Sequence, residues 1–150
     1  MKKVLYAVIL LIVSAPMTLA EEPESSSRAT LFDRLGGNEG IAMIVDDVIE
    51  AHMVNPAIQA RFLPYKDQPE RVAVIRQHTI EFFGAGSGGP VTYTGKDMPE
   101  THKGMNISPS DYMCVVDDIM MVLDKHKIDE ESKKDVLAIL WSLKGMIIAK

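Results

Sequence analysis

Four stretches of this chain place apolar residues three and four positions apart, and none alternates apolar with polar side chains for more than a few residues. Apolar groups at that spacing fall on one side of a 3.6-residue helix, so each stretch predicts a helix with one buried face. Ile41, Ile44, Val45 and Val48 form the first, after the helix-breaking pair Gly36-Gly37, and Asn55-Pro56 ends it. A short segment, AIQARF, then leads into a loop containing Pro64 and Pro69. Val72, Ile75, Thr79, Phe82 and Phe83 form the second face, with His78 beside them and Pro69 suited to the first turn. The run GAGSGGP from Gly84 to Pro90 stops that helix. Ser108-Pro109-Ser110-Asp111 opens the third with a hydroxyl cap, a first-turn proline and an acid at the third position. Tyr112, Val115, Val116, Ile119, Met120 and Leu123 follow it periodically. Asp129 caps the fourth, whose stripe is Val136, Leu137, Leu140, Leu143 and Ile147. The chain therefore predicts an all-α bundle without internal repeats. Between the second and third helices, Val91 to Lys103 reads as a loop with a short stretch around Met98 to His102, and loops often carry function.

The first twenty residues stand apart from this pattern. Lys2 and Lys3 precede the apolar run VLYAVILLIV, and SAPMTLA then gives way abruptly to EEPESSS. A positive start, an apolar run and small residues at Thr18 and Ala20 are the layout of a secretory signal peptide, with cleavage after Ala20. An anchor is the alternative, but Val4 to Ala20 sits at the short limit for spanning a bilayer and contains Pro16. The expectation is export, to the periplasm, with no stable membrane insertion after cleavage. Residues 21–30 read as a polar, flexible leader and 31–150 as one domain. Lys2 and Lys3 would leave with the peptide, so the 16 basic groups fall to 14 against 21 acidic ones, a balance of −7. That balance lacks the electrostatic footprint of a nucleic-acid binder. The single cysteine, Cys114, rules out an internal disulfide or a multi-cysteine metal site and reads as a buried structural thiol.

No nucleophile elbow, zinc-protease pair, phosphate loop or dinucleotide fingerprint is present. Asp46-Asp47 and Asp117-Asp118 read as solvated helix faces, and His52 and His126 as surface residues. His78 and His102 differ. His78 lies on an apolar face, three residues after Ile75 and four before Phe82. His102 has Met98 four residues before it and Met105 three after. Two such histidines on separate elements of a small bundle suit haem, whose iron takes an axial imidazole and whose ring needs an apolar slot. A lone histidine on an apolar face is, however, more often a satisfied core residue.

From Leu31 to about Leu143 the chain resembles the group I truncated haemoglobins. The matching stretches are LFDRLGG (31–37), the IVDD helix ending in NP (44–56), GGP (88–90), YTGKDM (93–98) and THKGMNIS (101–108), in matching order and spacing. The resemblance implies a two-over-two helical sandwich around haem b, with His102 as the proximal iron ligand and Phe62 packed on the haem face. Met98 falls beside that proximal segment, and Tyr93 and Thr94 shape the loop before it. On the distal side the chain departs from the family pattern. Ile49 stands where many members carry a tyrosine that donates to the gas ligand, and Ile75 and Thr79 line the pocket, where a glutamine is common at the latter. His78 matches a position from which some members bind the iron directly; the readings are a sixth ligand, a hydrogen-bond donor, or neither.

Three functions follow from the resemblance. One is reversible binding of a diatomic gas (oxygen, nitric oxide or carbon monoxide), which includes oxygen transport. Another is nitric oxide detoxification by a dioxygenase route, which needs an electron source outside this chain. The third is electron transfer or peroxide chemistry with a periplasmic redox partner, favoured if His78 ligates iron. The missing tyrosine predicts rapid loss of oxygen. Gas binding is the primary expectation, and whether turnover accompanies it stays open.

Overall fold

The computed structural model describes residues 29–150, so the export segment 1–20 and most of the polar leader lie outside the described residues. The elements run α1 (Leu31–Arg34), α2 (Gly37–Val54), α3 (Gln59–Phe62), a 3-10 turn (Leu63–Tyr65), α4 (Pro69–Gly86), α5 (Met98–His102), α6 (Pro109–Lys125) and α7 (Glu130–Ile147). Among the described residues there is no strand, only an isolated parallel bridge between Ile107 and Ile148.

The four periodic stretches become the four long helices. α2 packs on both α4 and α6, and α6 packs on α7, giving two helix pairs in contact. Ile41, Val45, Leu123 and Val136 are almost wholly excluded from water; each contributes roughly 1.5–3 kcal/mol by leaving it. Caps fix the helix starts. Ser108 and Asp111 form a reciprocal capping box on α6, and Asp129 accepts from the N–H groups of Glu131 and Ser132 at 3.0 Å each at the start of α7. The Tyr112 hydroxyl donates to the Leu140 carbonyl and locks α6 to α7. Arg34 reaches from α1 to Ser132 and Asp135 of α7, at 2.8 and 2.5 Å.

Three local expectations change. α4 continues through Gly84 to Gly86, because Ser87 closes it with both its N–H and its hydroxyl on the Phe83 carbonyl. Leu137 lies outside the buried stripe of α7, 38% exposed. The segment before His102 is a short helix and not a loop: the Asp97 side chain accepts from the Glu100 N–H at 2.8 Å, and Pro99 sits in the first turn.

Candidate functional site

His102 closes α5 and is half-buried. Its Nδ1 lies 2.8 Å from the Met98 carbonyl oxygen one turn back. A carbonyl only accepts, so Nδ1 carries the proton and the neutral ring keeps its lone pair on Nε2, the nitrogen free to bind a metal. Metal-binding histidines are held in this way, by a second hydrogen bond that fixes tautomer and ring direction. Met98 is itself half-buried, its side chain packed against the core.

Ile49, on α2, faces an open cleft of about 380 Å³ that it shares with Met53, Val54, Leu63 and Val72; Asp46, Glu50 and Lys66 also line it. Ile75 follows Val72 by one turn of α4 and is 39% exposed. Thr79 lies a turn further on, and its hydroxyl donates to the Ile75 carbonyl at 2.8 Å. Neither Ile75 nor Thr79 lines the Ile49 cleft: Thr79 faces a separate, small apolar cavity with Ile44, Val45, Val48 and Phe83, and its hydroxyl is committed to its own helix.

His78 is half-buried. Its Nδ1 is shielded from water and faces Glu81 Oε2 at 3.6 Å, beyond hydrogen-bond length. The ring stands edge-on to Tyr93, 6.1 Å between centroids, and Phe82 meets the same tyrosine at 5.5 Å. Glu81 accepts from Gln77 at 2.9 Å and from the hydroxyl and N–H of Thr94 at 2.7 and 3.0 Å. Those bonds, Gln77's first and then Thr94's, push its pKa down to about 2. The Tyr93 hydroxyl donates to the Lys96 carbonyl at 2.6 Å, so the loop leading into α5 is pinned both to α4 and to itself. Among the described residues His78 and His102 share no hydrogen bond or ring contact.

Phe62 is half-buried, one side of its ring resting on His52, 4.9 Å between centroids and 30° apart. His52 is not a surface residue. It is 7% exposed, and so is Asp118, which it meets at 2.9 Å from Nδ1; Asn55 Nδ2 donates to the other Asp118 oxygen at 2.8 Å. Burial holds the His52 pKa below its ordinary value, against the opposing pull of Asp118. The signal was present in the sequence. His52 continues the stripe Ile41, Ile44, Val45, Val48, and Asp118 falls between Val115 and Val122 on the buried side of α6, so two polar groups of opposite character occupy apolar positions. His126 is likewise no free surface group: its Nε2 lies 2.6 Å from Asp47, which Lys125 also meets at 2.9 Å. Cys114 is half-buried and free.

Group 1 truncated haemoglobin GlbN of a Nostoc species is 25% identical over 122 residues, which is 81% of this chain and 99% of that protein. GlbN of Mycolicibacterium paratuberculosis is 24% identical over 115 residues, 77% of this chain and 81% of that one. Among solved structures, ferric truncated haemoglobin from Tetrahymena pyriformis matches with a TM-score of 0.73 at 18% identity, covering 81% of this chain and all of that one. Group II truncated haemoglobin from Bacillus anthracis matches at 0.69 with 19% identity, covering 81% and 93%. The fold is thus that of the truncated haemoglobins, two helix pairs over one another. The family model described as bacterial-like globin matches residues 30–149, and the chain belongs to that family.

Proposed function

We propose that this globin binds haem b through His102 and takes up a diatomic gas on the side of α2 and α4 that carries Ile49, Ile75 and Thr79. The observation that carries the reading is the His102 ring, whose Nδ1 proton is committed to the Met98 carbonyl so that Nε2 presents its lone pair. The remaining residues suit the same group. Phe62 has one side of its ring on His52, and α4 leaves Val74 and Ile75 54% and 39% exposed, apolar surface that a flat apolar ring would cover. When bound, haem supplies an iron centre that takes a diatomic gas as ligand.

The protein's contribution is selection and retention. Ile49 and Ile75 offer a gas molecule no donor, and the Thr79 hydroxyl is engaged by Ile75. A polar hydrogen bond is worth about 0.5–3 kcal/mol, and none of these three side chains has one to give, so oxygen beside them is held weakly and released quickly. His78 supports a second reading. Its Nδ1 is turned inward toward Glu81, which leaves Nε2 as the nitrogen able to act as donor or as sixth ligand, the arrangement that favours electron transfer. Export to the periplasm rests on the layout of residues 1–20.

The optical spectrum of the dithionite-reduced protein, in wild type and in His78→Ala, tests this. An open iron gives a broad five-coordinate spectrum in both proteins, supporting gas binding. Sharp, split visible bands that broaden only in the variant establish His78 as a ligand and move the function toward electron transfer. A wild type without any haem spectrum contradicts both.

A further inference from the structure

The turn behind His102 is held from two sides. Gly104 and Asn106 both adopt left-handed backbone, with φ of 79° and 46°. Asn106 is a non-glycine residue there, a conformation that persists when its surroundings impose it. One restraint is the segment after α7: the Ala149 N–H donates to the Ile107 carbonyl at 3.0 Å, and the N–H groups of Gly104 and Asn106 donate to the Lys150 carbonyl oxygen at 3.0 and 3.3 Å. The other is Arg61 of α3, immediately before Phe62. Its Nη1 donates to the Met105 carbonyl at 2.8 Å, and its Nη2 donates to Asp111 at 2.5 Å and to the Asn106 carbonyl at 3.4 Å. Asp111 closes the capping box with Ser108 at the start of α6, and its carboxylate is held below its usual range first by the Ser108 N–H, so it stays ionised to receive the guanidinium.

We propose that Arg61 is a positioning residue for the haem site, a clasp that ties the segment bearing Phe62 to the turn bearing His102 so that the two keep a fixed separation. The inference rests on the reading of His102 and Phe62 given above, and it assigns Arg61 a role that neither residue explains. Three acceptors converge on one planar fork, a geometry that a lysine ammonium on a flexible stem cannot reproduce. Without the clasp, the Phe62 segment and the proximal turn can separate, and haem leaves through the opening. Arg61 is 39% exposed, so solvent moderates its ion pair with Asp111; the two carbonyl contacts carry the rest.

The test uses the full chain loaded with haemin, as wild type, Arg61→Ala and Arg61→Lys. Haem transfer to excess apomyoglobin is followed, together with amide hydrogen exchange at Gly104 and Asn106. The expected result is haem loss about tenfold faster in Arg61→Ala, intermediate in Arg61→Lys, with faster exchange at those two amides and unchanged exchange at Ile44 and Val45. The iron–histidine stretching band of the ferrous alanine variant should shift as well, which a merely structural surface residue would not cause. Haem loss within twofold of wild type in Arg61→Ala, or a lysine variant equal to wild type, overturns the proposal. A wild type that takes up no haem defeats the His102 reading instead, and the exchange measurement still shows whether Arg61 holds the turn.

Discussion

Replacing His52 with leucine leaves the Asp118 carboxylate buried between α2 and α6 with Asn55 as its remaining partner. Taking its hydrogen-bond partner from a buried carboxylate costs about 3–5 kcal/mol, because the charge is stranded. Asn55 keeps its bond at 2.8 Å and leucine fills much of the imidazole's volume, so the lower end applies, about 3 kcal/mol. Asp118→Leu strands a neutral Nδ1–H, at about 1–3 kcal/mol, and takes the acceptor from the half-buried Asn55 amide, which can turn to water. The double variant His52→Leu/Asp118→Leu removes both polar groups and should lie within about 1 kcal/mol of wild type. Urea unfolding of the four proteins at neutral pH measures this directly. The pH dependence has a definite sign. Burial depresses the folded pKa of His52, so the unfolded chain binds more protons. The contribution is complete above the ordinary histidine value of about 6.5 and is lost as pH falls through the depressed folded value. That loss should vanish in His52→Leu. A double variant less stable than either single one would refute the reasoning, since the two residues would then act independently.

Glu81 should titrate near 2, as the bonds from Gln77 and Thr94 require; stability it contributes is present above its ordinary value and disappears as pH falls toward 2. A carboxyl NMR titration with a midpoint at 4 or higher, on the order of an unperturbed glutamate, contradicts this. Gly40→Ala would place its Cβ 2.1 Å from the Leu35 carbonyl oxygen, so backbone must shift and stability should fall by about 2 kcal/mol, read by thermal unfolding. Tyr112→Phe loses the buried bond to the Leu140 carbonyl and should cost about 1–1.5 kcal/mol in urea with the helical circular-dichroism signal unchanged.

The helical architecture was legible because each long helix repeats its own pattern locally: Ile41, Ile44, Val45 and Val48 say as much in isolation as in the bundle. Caps were legible for the same reason, since Ser108 and Asp111 are neighbours in sequence. The short helix before His102 was less visible, because five residues cannot display a period and its start depends on a single Asp97 cap. Long-range polar pairing was not legible at all. His52 and Asp118 are 66 positions apart, so their places on apolar stripes announce burial but not that they meet, and Arg61, whose acceptors lie 44 to 50 positions away, looks like an ordinary charged helix residue until the fold brings them near. Local chemistry could announce that His102 was unusual, yet the hydrogen bond that sets its tautomer became visible only in the folded turn.

The most direct test of the account is haemin titration of the purified protein as wild type, His102→Ala, and His102→Gly with and without added imidazole. A stable haem complex is expected in wild type, none in His102→Ala, and recovery in His102→Gly once imidazole replaces the missing ring. A stable complex with unaltered spectrum in His102→Ala would contradict it.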